Sequence, residues 1–284
     1  MNYQFINSND SNNFPFAHRV KSLGMAQVFQ QMSVDTLQEN FRAIASRCES
    51  REDFWVDFIN TFGLREVAEI GVYRGDFAQA LLRRCECLMR YYMVDPWRHL
   101  ADWNKPANQH DAQLEAYYQE SIAKTDFAAG KRVVLRGKTL DVIGQIPDQG
   151  LDLAYIDGDH TLKGITIDLI SVYPKVKIGG YLTGDDFTSS IWEHKTTFEP
   201  TLVFPLSVYF AEAVGATIFA LPRSQFCLQK SAERRFSFID LTGEYGDRSL
   251  HNQVALGKLF KITAWERFPR IMGALRKTKT VLSH

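Results

Sequence analysis

The sequence is short of most features that assign a function quickly. Its 33 Lys+Arg are matched by 33 Asp+Glu, so no global field draws the chain toward nucleic acid or an acidic surface, and any electrostatic partner must be met locally. Only four cysteines occur. Cys48, Cys85, Cys87 and Cys227 form no CxxC, and the CxC at 85–87 lacks the second cluster of a structural zinc site, so the expectation is reduced thiols in a cytoplasmic protein. No apolar run approaches the roughly 18 residues of a membrane span. The start, MNYQFINSNDSNNF, has neither the basic nor the apolar region of a secretory leader. Two nucleotide motifs are also missing. Residue 73 is Tyr, which breaks a G-x-G-x-x-G after the first strand, and Gly137-Lys138-Thr139 has Arg132 where a P-loop needs glycine.

What is present is enough chain for one large core. At 284 residues, an α/β domain of two hundred or more residues with accessory segments is the natural expectation. Residues 1 to about 15, rich in Asn and Ser, are expected to be poorly ordered. From Val20 to Phe62 apolar residues recur at helical spacing, and Thr36-Leu37-Gln38-Glu39 offers a capping box. These helices should form a cap, or the surface of a homo-oligomer. Residues 1–62 therefore precede a domain over 63–231, and 232–284 read as a helical extension with a basic, amphipathic end. A helix lying on its own domain is the plain reading of that end, and contact with a partner or anionic surface the other.

The domain alternates strand and helix. Glu66 to Val72 is a strand, and Glu69, Gly71 and Gly75 form an E-x-G-x-x-x-G turn into a helix. Glycine there lets backbone approach a ligand, although a tight loop alone would also use it. Tyr91 to Asp95 is a second strand, ending in an acid at the distance where nucleotide folds meet ribose hydroxyls. Residues 98–108, with Trp103 and Lys105, read as a lid over the site or as a solvated connector. Arg132 to Arg136 is a third strand. Ala216 to Leu221 and Phe226 to Lys230 look like an antiparallel hairpin that finishes the sheet.

The stretch Leu151 to Phe187 organises the rest. The buried run LDLAYI stops at Asp157-Gly158-Asp159-His160. After a helix and a Gly179-Gly180 turn, a second run, YLTG, stops at Asp185-Asp186. Strands that end in acids read as the carboxyl rim of a parallel sheet, where open α/β folds bind ligands. Three carboxylates at one rim suit a hard cation, or the acid pair caps the following helix. His160 is suited to general base catalysis, and equally to capping or packing the next helix; Asp159 is the alternative base or a supporting group.

Taken together, these motifs resemble the class I S-adenosylmethionine-dependent methyltransferases over about residues 64–231. IDGDHTLKGITIDL with GGYLTGDDF is similar to the branch of macrocin-type sugar O-methyltransferases, and the acids sit where catechol O-methyltransferase keeps its metal ligands. The resemblance implies a Rossmann-like sheet of seven strands, mostly parallel with the last antiparallel, with helices on both faces. It implies that Glu69, Gly71, Tyr73 and Gly75 surround the methionine part of the cofactor. Asp95 would hold the ribose, Thr139 would lie near the adenine, and Asp157 would border the cofactor as well. It implies Mg²⁺ on Asp157, Asp185 and Asp186. His160 stands where catechol O-methyltransferase has its catalytic Lys, a departure that touches the base assignment. The acceptor implied is a hydroxyl of a sugar, glycan or glycosylated metabolite, with an aromatic diol second. An NAD oxidoreductase is disfavoured by the missing glycine and by the lack of a Tyr-x-x-x-Lys pair, and a non-catalytic binding protein by the retained acid set.

Overall fold

The structure, a computed structural model, describes residues 32–246 and 253–254. The Asn- and Ser-rich start, the helical pattern before Met32 and the basic end from Lys258 lie outside the described residues. Among the described residues no helix is long and apolar enough to cross a membrane.

The chain runs α1 (Val34–Ala45), α2 (Arg51–Phe62), β1 (Glu66–Ile70), α3 (Asp76–Arg84), β2 (Arg90–Asp95), α4 (Asp111–Lys124), β3 (Arg132–Arg136), α5 (Thr139–Val142), β4 (Leu151–Ile156), α6 (Leu162–Val172), β5 (Val176–Gly184), α7 (Val203–Val214), β6 (Thr217–Leu221), β7 (Gln225–Gln229) and β8 (Ser237–Asp240). The strands form one sheet in the order β3-β2-β1-β4-β5-β7-β6-β8. Only β7 runs antiparallel to its neighbours, β5 and β6, while β8 pairs parallel with β6. Among the described residues the sheet thus has eight strands rather than the expected seven, and the expected antiparallel hairpin is β6–β7, with β7 seated between β5 and β6. The extra strand comes from the stretch read as a helical extension, where four half-buried residues, SFID, extend the edge past the hairpin.

Period-two alternation assigns each central strand residue to a face. Val67, Leu153, Tyr155 and Phe219 face a core shared with α1, α2 and α3. Ala68, Ile70, Ala154, Ile156 and Ile218 face the other core, filled from α6 and α7. The expected N-terminal helical cap is α1 with α2, seated flat on the first face. Phe41 meets Phe219 at 5.1 Å, Trp55 meets Tyr155 at 5.8 Å and Phe58 meets Tyr181 at 5.0 Å between ring centroids. Burying each such ring contributes about 1.5–3 kcal/mol, so α1 and α2 are part of the domain's core.

Two local expectations are corrected. Ser33, not Thr36, caps α1, its hydroxyl accepting from the Thr36 N–H at 3.2 Å; a hydroxyl three residues earlier reached the free N–H first. Gly179-Gly180 is not a turn before β5 but lies within it, at a register shift against β4. The sheet absorbs the pair as a bulge, with the Gly179 N–H donating to the Lys230 carbonyl at 2.7 Å.

The loop between α1 and α2 is tied across to the β6–β7 turn. Arg223, with φ of 62° in that turn, donates to the carbonyls of Cys48 and Glu49. This tether brings the first residue of α2, Arg51, to the carboxyl rim of the sheet.

Candidate active site

The first wall of the site is the turn after β1. Gly71 has φ of +92°, and a Cβ built there would lie 2.0 Å from the Asp157 carbonyl oxygen. Only glycine lets the ends of β1 and β4 meet so closely. Asp95, at the end of β2, holds the turn in shape. Its Oδ2 accepts the N–H groups of Val72 and Tyr73, both at 2.9 Å, and its Oδ1 that of Trp97 at 2.7 Å. Burial pushes the Asp95 pKa up, against the pull of these three donors. Tyr73 is held at φ of 52° and exposed, and Gly75 caps α3. Gly71, Tyr73, Gly75 and Asp95 therefore gather at one turn.

Glu69 and Thr139 are engaged within the fold instead. Glu69 is 1% exposed, and its Oε2 accepts from the Tyr91 hydroxyl at 2.7 Å. Burial raises its pKa well above the ordinary carboxylate value. The Thr139 hydroxyl donates to Asp168 Oδ1 at 2.5 Å, and burial pushes Asp168 up to about 7. Beside the Asp95 turn, at the ends of β2 and β3, open two cavities. One of about 590 Å³ is lined by Trp97, Arg98 and Arg136 among others, and one of about 340 Å³ by Pro96, Gly137 and Asp141 among others.

Because three N–H groups depend on one carboxylate, Asp95→Ala should destabilise the protein by about 1–3 kcal/mol. Thermal melts and calorimetry check this. Unchanged stability would mean that water satisfies the turn.

The second wall is the acid rim. Asp157 follows β4, Asp185 and Asp186 follow β5, and His160 follows Asp157 by three. His160 is bracketed by two carboxylates. Its Nδ1 is bonded to Asp186 Oδ2, while its Nε2 lies 3.6 Å from Asp157 Oδ1 and is buried without a hydrogen-bond partner. Asp157, His160 and Asp186 present ligand-type atoms within 4.8 Å of one another. Burial by itself would depress His160, but Asp157 and Asp186 outweigh it and raise its pKa to about 10. Burial would likewise raise Asp186, and bonding to His160 brings it down to about 2. Asp159 faces away, its Oδ1 accepting the Thr161 N–H at 3.0 Å and its side chain packed where Gly164 leaves room.

Asp185 belongs to a different set of contacts. It accepts from Arg51 Nη1 and from Gln225 Nε2. Arg51 Nη1 also reaches Asp157 Oδ2 at 2.9 Å. Gln225 is 1% exposed, and its Oε1 is fixed by Trp55 Nε1 at 2.9 Å and the Tyr155 hydroxyl at 2.7 Å. Beyond Asp186 sits Glu193, raised by burial first and by Asp186 second. Its Oε2 accepts from the Thr201 hydroxyl, which in turn accepts from Lys105 Nζ at 2.9 Å. Lys105 is 5% exposed, so the loop 97–108 is anchored at the rim.

Sequence reasoning missed Arg51, Gln225, Glu193 and Thr201. Gln225 carried a readable signal, since an amide bordering the buried run FCLQ must be satisfied by something. Arg51 in the segment RED carried none.

Residues 68–187 match a family model described as a methyltransferase domain. A search of the curated proteins found no match. Among solved structures the chain is similar to a protein of Corynebacterium glutamicum at 14% identity and a TM-score of 0.47, covering 71% of this chain and 93% of that one. It is similar to an S-adenosylhomocysteine-bound methyltransferase of Podospora anserina at 12% identity and 0.47, covering 69% and 88%. A third, an O-methyltransferase family protein of Burkholderia thailandensis, has 14% identity and 0.43, covering 70% and 60%. The residues that match the methyltransferase domain lie across both walls of the site, from β1 to the acids after β5.

Proposed function

We propose that this protein transfers the methyl group of S-adenosylmethionine to a hydroxyl oxygen of a sugar, glycan or glycosylated metabolite, with a divalent cation, Mg²⁺, assisting. The observation that carries the reading is the acid rim next to the Asp95 turn. A buried His160 Nε2 without a hydrogen-bond partner points among carboxylates that two side-chain cations, Arg51 and His160, already hold together.

The donors suit a hard ion, being carboxylate oxygens with one imidazole and no thiolate. Asp157, Asp185 and Asp186 would hold it. Held there, a divalent cation would favour ionisation of an acceptor hydroxyl and would offset the charge that keeps His160 protonated. The chain's own residues do the rest. The Asp95 turn, beside the two cavities, receives the nucleoside end of the cofactor, while Gly71, Tyr73 and Gly75 border its methionine end. His160 Nε2 takes the proton of the acceptor hydroxyl. The oxygen attacks the methyl carbon in line, the C–O bond forms as the C–S bond breaks, and the sulfur leaves with that electron pair as the thioether of S-adenosylhomocysteine. Lys105, Thr201 and Glu193 exclude water on the Asp186 side. Asp159 holds the turn before α6 by accepting the Thr161 N–H, and in this reading it is not the base.

The test is turnover of labelled S-adenosylmethionine against glycosides, free sugars and aromatic diols, with chelator and with added Mg²⁺ or Mn²⁺. Transfer to glycosides that stops in chelator and returns with metal is expected. Transfer to diols alone would overturn the acceptor class, and undiminished turnover in chelator would remove the cation. Binding of S-adenosylhomocysteine without transfer to any acceptor would leave a binding protein.

A further inference from the structure

Arg51 bridges two of the carboxylates assigned above to the cation, Asp157 and Asp185. A single nitrogen, Nη1, contacts Oδ2 of both carboxylates, and these come from the ends of two adjacent strands, β4 and β5. The arginine is delivered there by several independent restraints. Ser50 and Asp53 form a reciprocal capping box around it. Arg223 clamps the preceding carbonyls. The Arg51 guanidinium carbon lies 5.6 Å from the Phe77 ring centroid, and Arg51 Nε donates to Glu52 Oε1 at 3.1 Å. None of these restraints needs the acids, so the guanidinium is aimed at the rim by the fold.

We propose that Arg51 is a tethered competitor of the divalent cation. The inference rests on the cation reading above and deepens it. The guanidinium bridges two carboxylates that would otherwise repel each other. A cation held by Asp157 and Asp185 would have to displace the Arg51 side chain, and ion affinity would therefore be set against an internal ion pair. The pair is partly exposed, with Arg51 at 31%, Asp157 at 21% and Asp185 at 15% of their side-chain surface. The competition is accordingly modest, and release of the side chain is within reach of ion binding. α2 itself does not depend on the contact, because its cap and its aromatic face are made elsewhere.

The full-length chain and its Arg51→Gln variant are titrated with Mn²⁺, followed by calorimetry and by the paramagnetic signal of the free ion. The variant is expected to bind about tenfold more tightly, the factor that corresponds to about 1.4 kcal/mol. In chelator it should melt below the wild type, and Mn²⁺ should close that gap. Adding Asp185→Asn should cancel the gain in affinity. Arg51→Lys, which keeps the charge, should bind like the wild type. Equal or weaker Mn²⁺ binding by Arg51→Gln would overturn the competition and leave the cation site standing. No Mn²⁺ binding by either protein would overturn both.

Discussion

Replacing His160 by alanine should lower kcat by about 10²- to 10⁴-fold, the usual contribution of a positioned general base, with cofactor affinity largely kept because the Asp95 turn is separate from it. The pH dependence of stability gives a second readout that does not need an acceptor. Asp157 and Asp186, outweighing burial, raise the His160 pKa from 6.5 to about 10. The folded state therefore binds that proton more tightly than the unfolded chain, and the stability it contributes is complete below pH 6.5 and lost as pH rises toward 10. Asp186 is lowered from 3.8 to about 2, so its contribution is complete above pH 3.8 and lost as pH falls through 2. Urea unfolding in chelator should thus show a plateau between these limits and a decline on the alkaline side, and His160→Gln should flatten the decline. A small loss of kcat, with turnover still abolished by chelator, would make His160 structural and leave activation of the hydroxyl to the ion.

Gly71→Ala should prevent the domain from forming. The new methyl would sit 2.0 Å from the Asp157 carbonyl oxygen and 2.4 Å from its carbon, both backbone atoms of the neighbouring strand, at φ of +92°. Relief requires parting β1 from β4 at the centre of the sheet, which places the expected loss above about 4 kcal/mol. Gly63→Ala separates strain from collision. Gly63 also has positive φ, +61°, but nothing lies within 4 Å of an added Cβ, so only about 1–2 kcal/mol of backbone strain is expected. Circular dichroism melts of the two variants make the comparison. A Gly71→Ala protein that melts cooperatively near the Gly63→Ala variant would show that the strand ends can move apart at little cost.

The strand ends were legible because a buried parallel strand is a nearly unbroken apolar run, and an Asp after such a run can only be at its mouth. LDLAYI ending at Asp157 and YLTG ending at Asp185 are of this kind. The helices of the first face were legible from Phe54, Phe58 and Phe62 at spacing four. β8 was not, since four half-buried residues give too short an alternation to distinguish strand from loop. Gly179-Gly180 misled because the same pair signals a turn and permits a bulge, and only the β4 register decides between them. Within the site, Asp157, His160, Asp185 and Asp186 announced themselves by clustering in sequence. Arg51 could not, because its partners lie 106 and 134 residues later and nothing local marks a guanidinium that will reach that far. Glu69 and Thr139 fell at motif positions, yet burial beside Tyr91 and Asp168 governs their side chains.

The strand order also dictates when the site can assemble during synthesis. β1 pairs with β2 early, but its other edge waits for β4. At about 5–20 residues per second, the ribosome needs several seconds to supply the intervening chain. During that interval β1 presents an open edge, the aromatic face of α2 lacks Tyr155 and Tyr181 to cover it, and Phe41 of α1 lacks Phe219. Such an intermediate invites pairing with other chains unless it is shielded or short-lived. Asp185 and then Gln225, the anchor that fixes it, emerge later still. Among the described residues the site is consequently completed only after the central strands β1, β2, β4 and β5 have emerged.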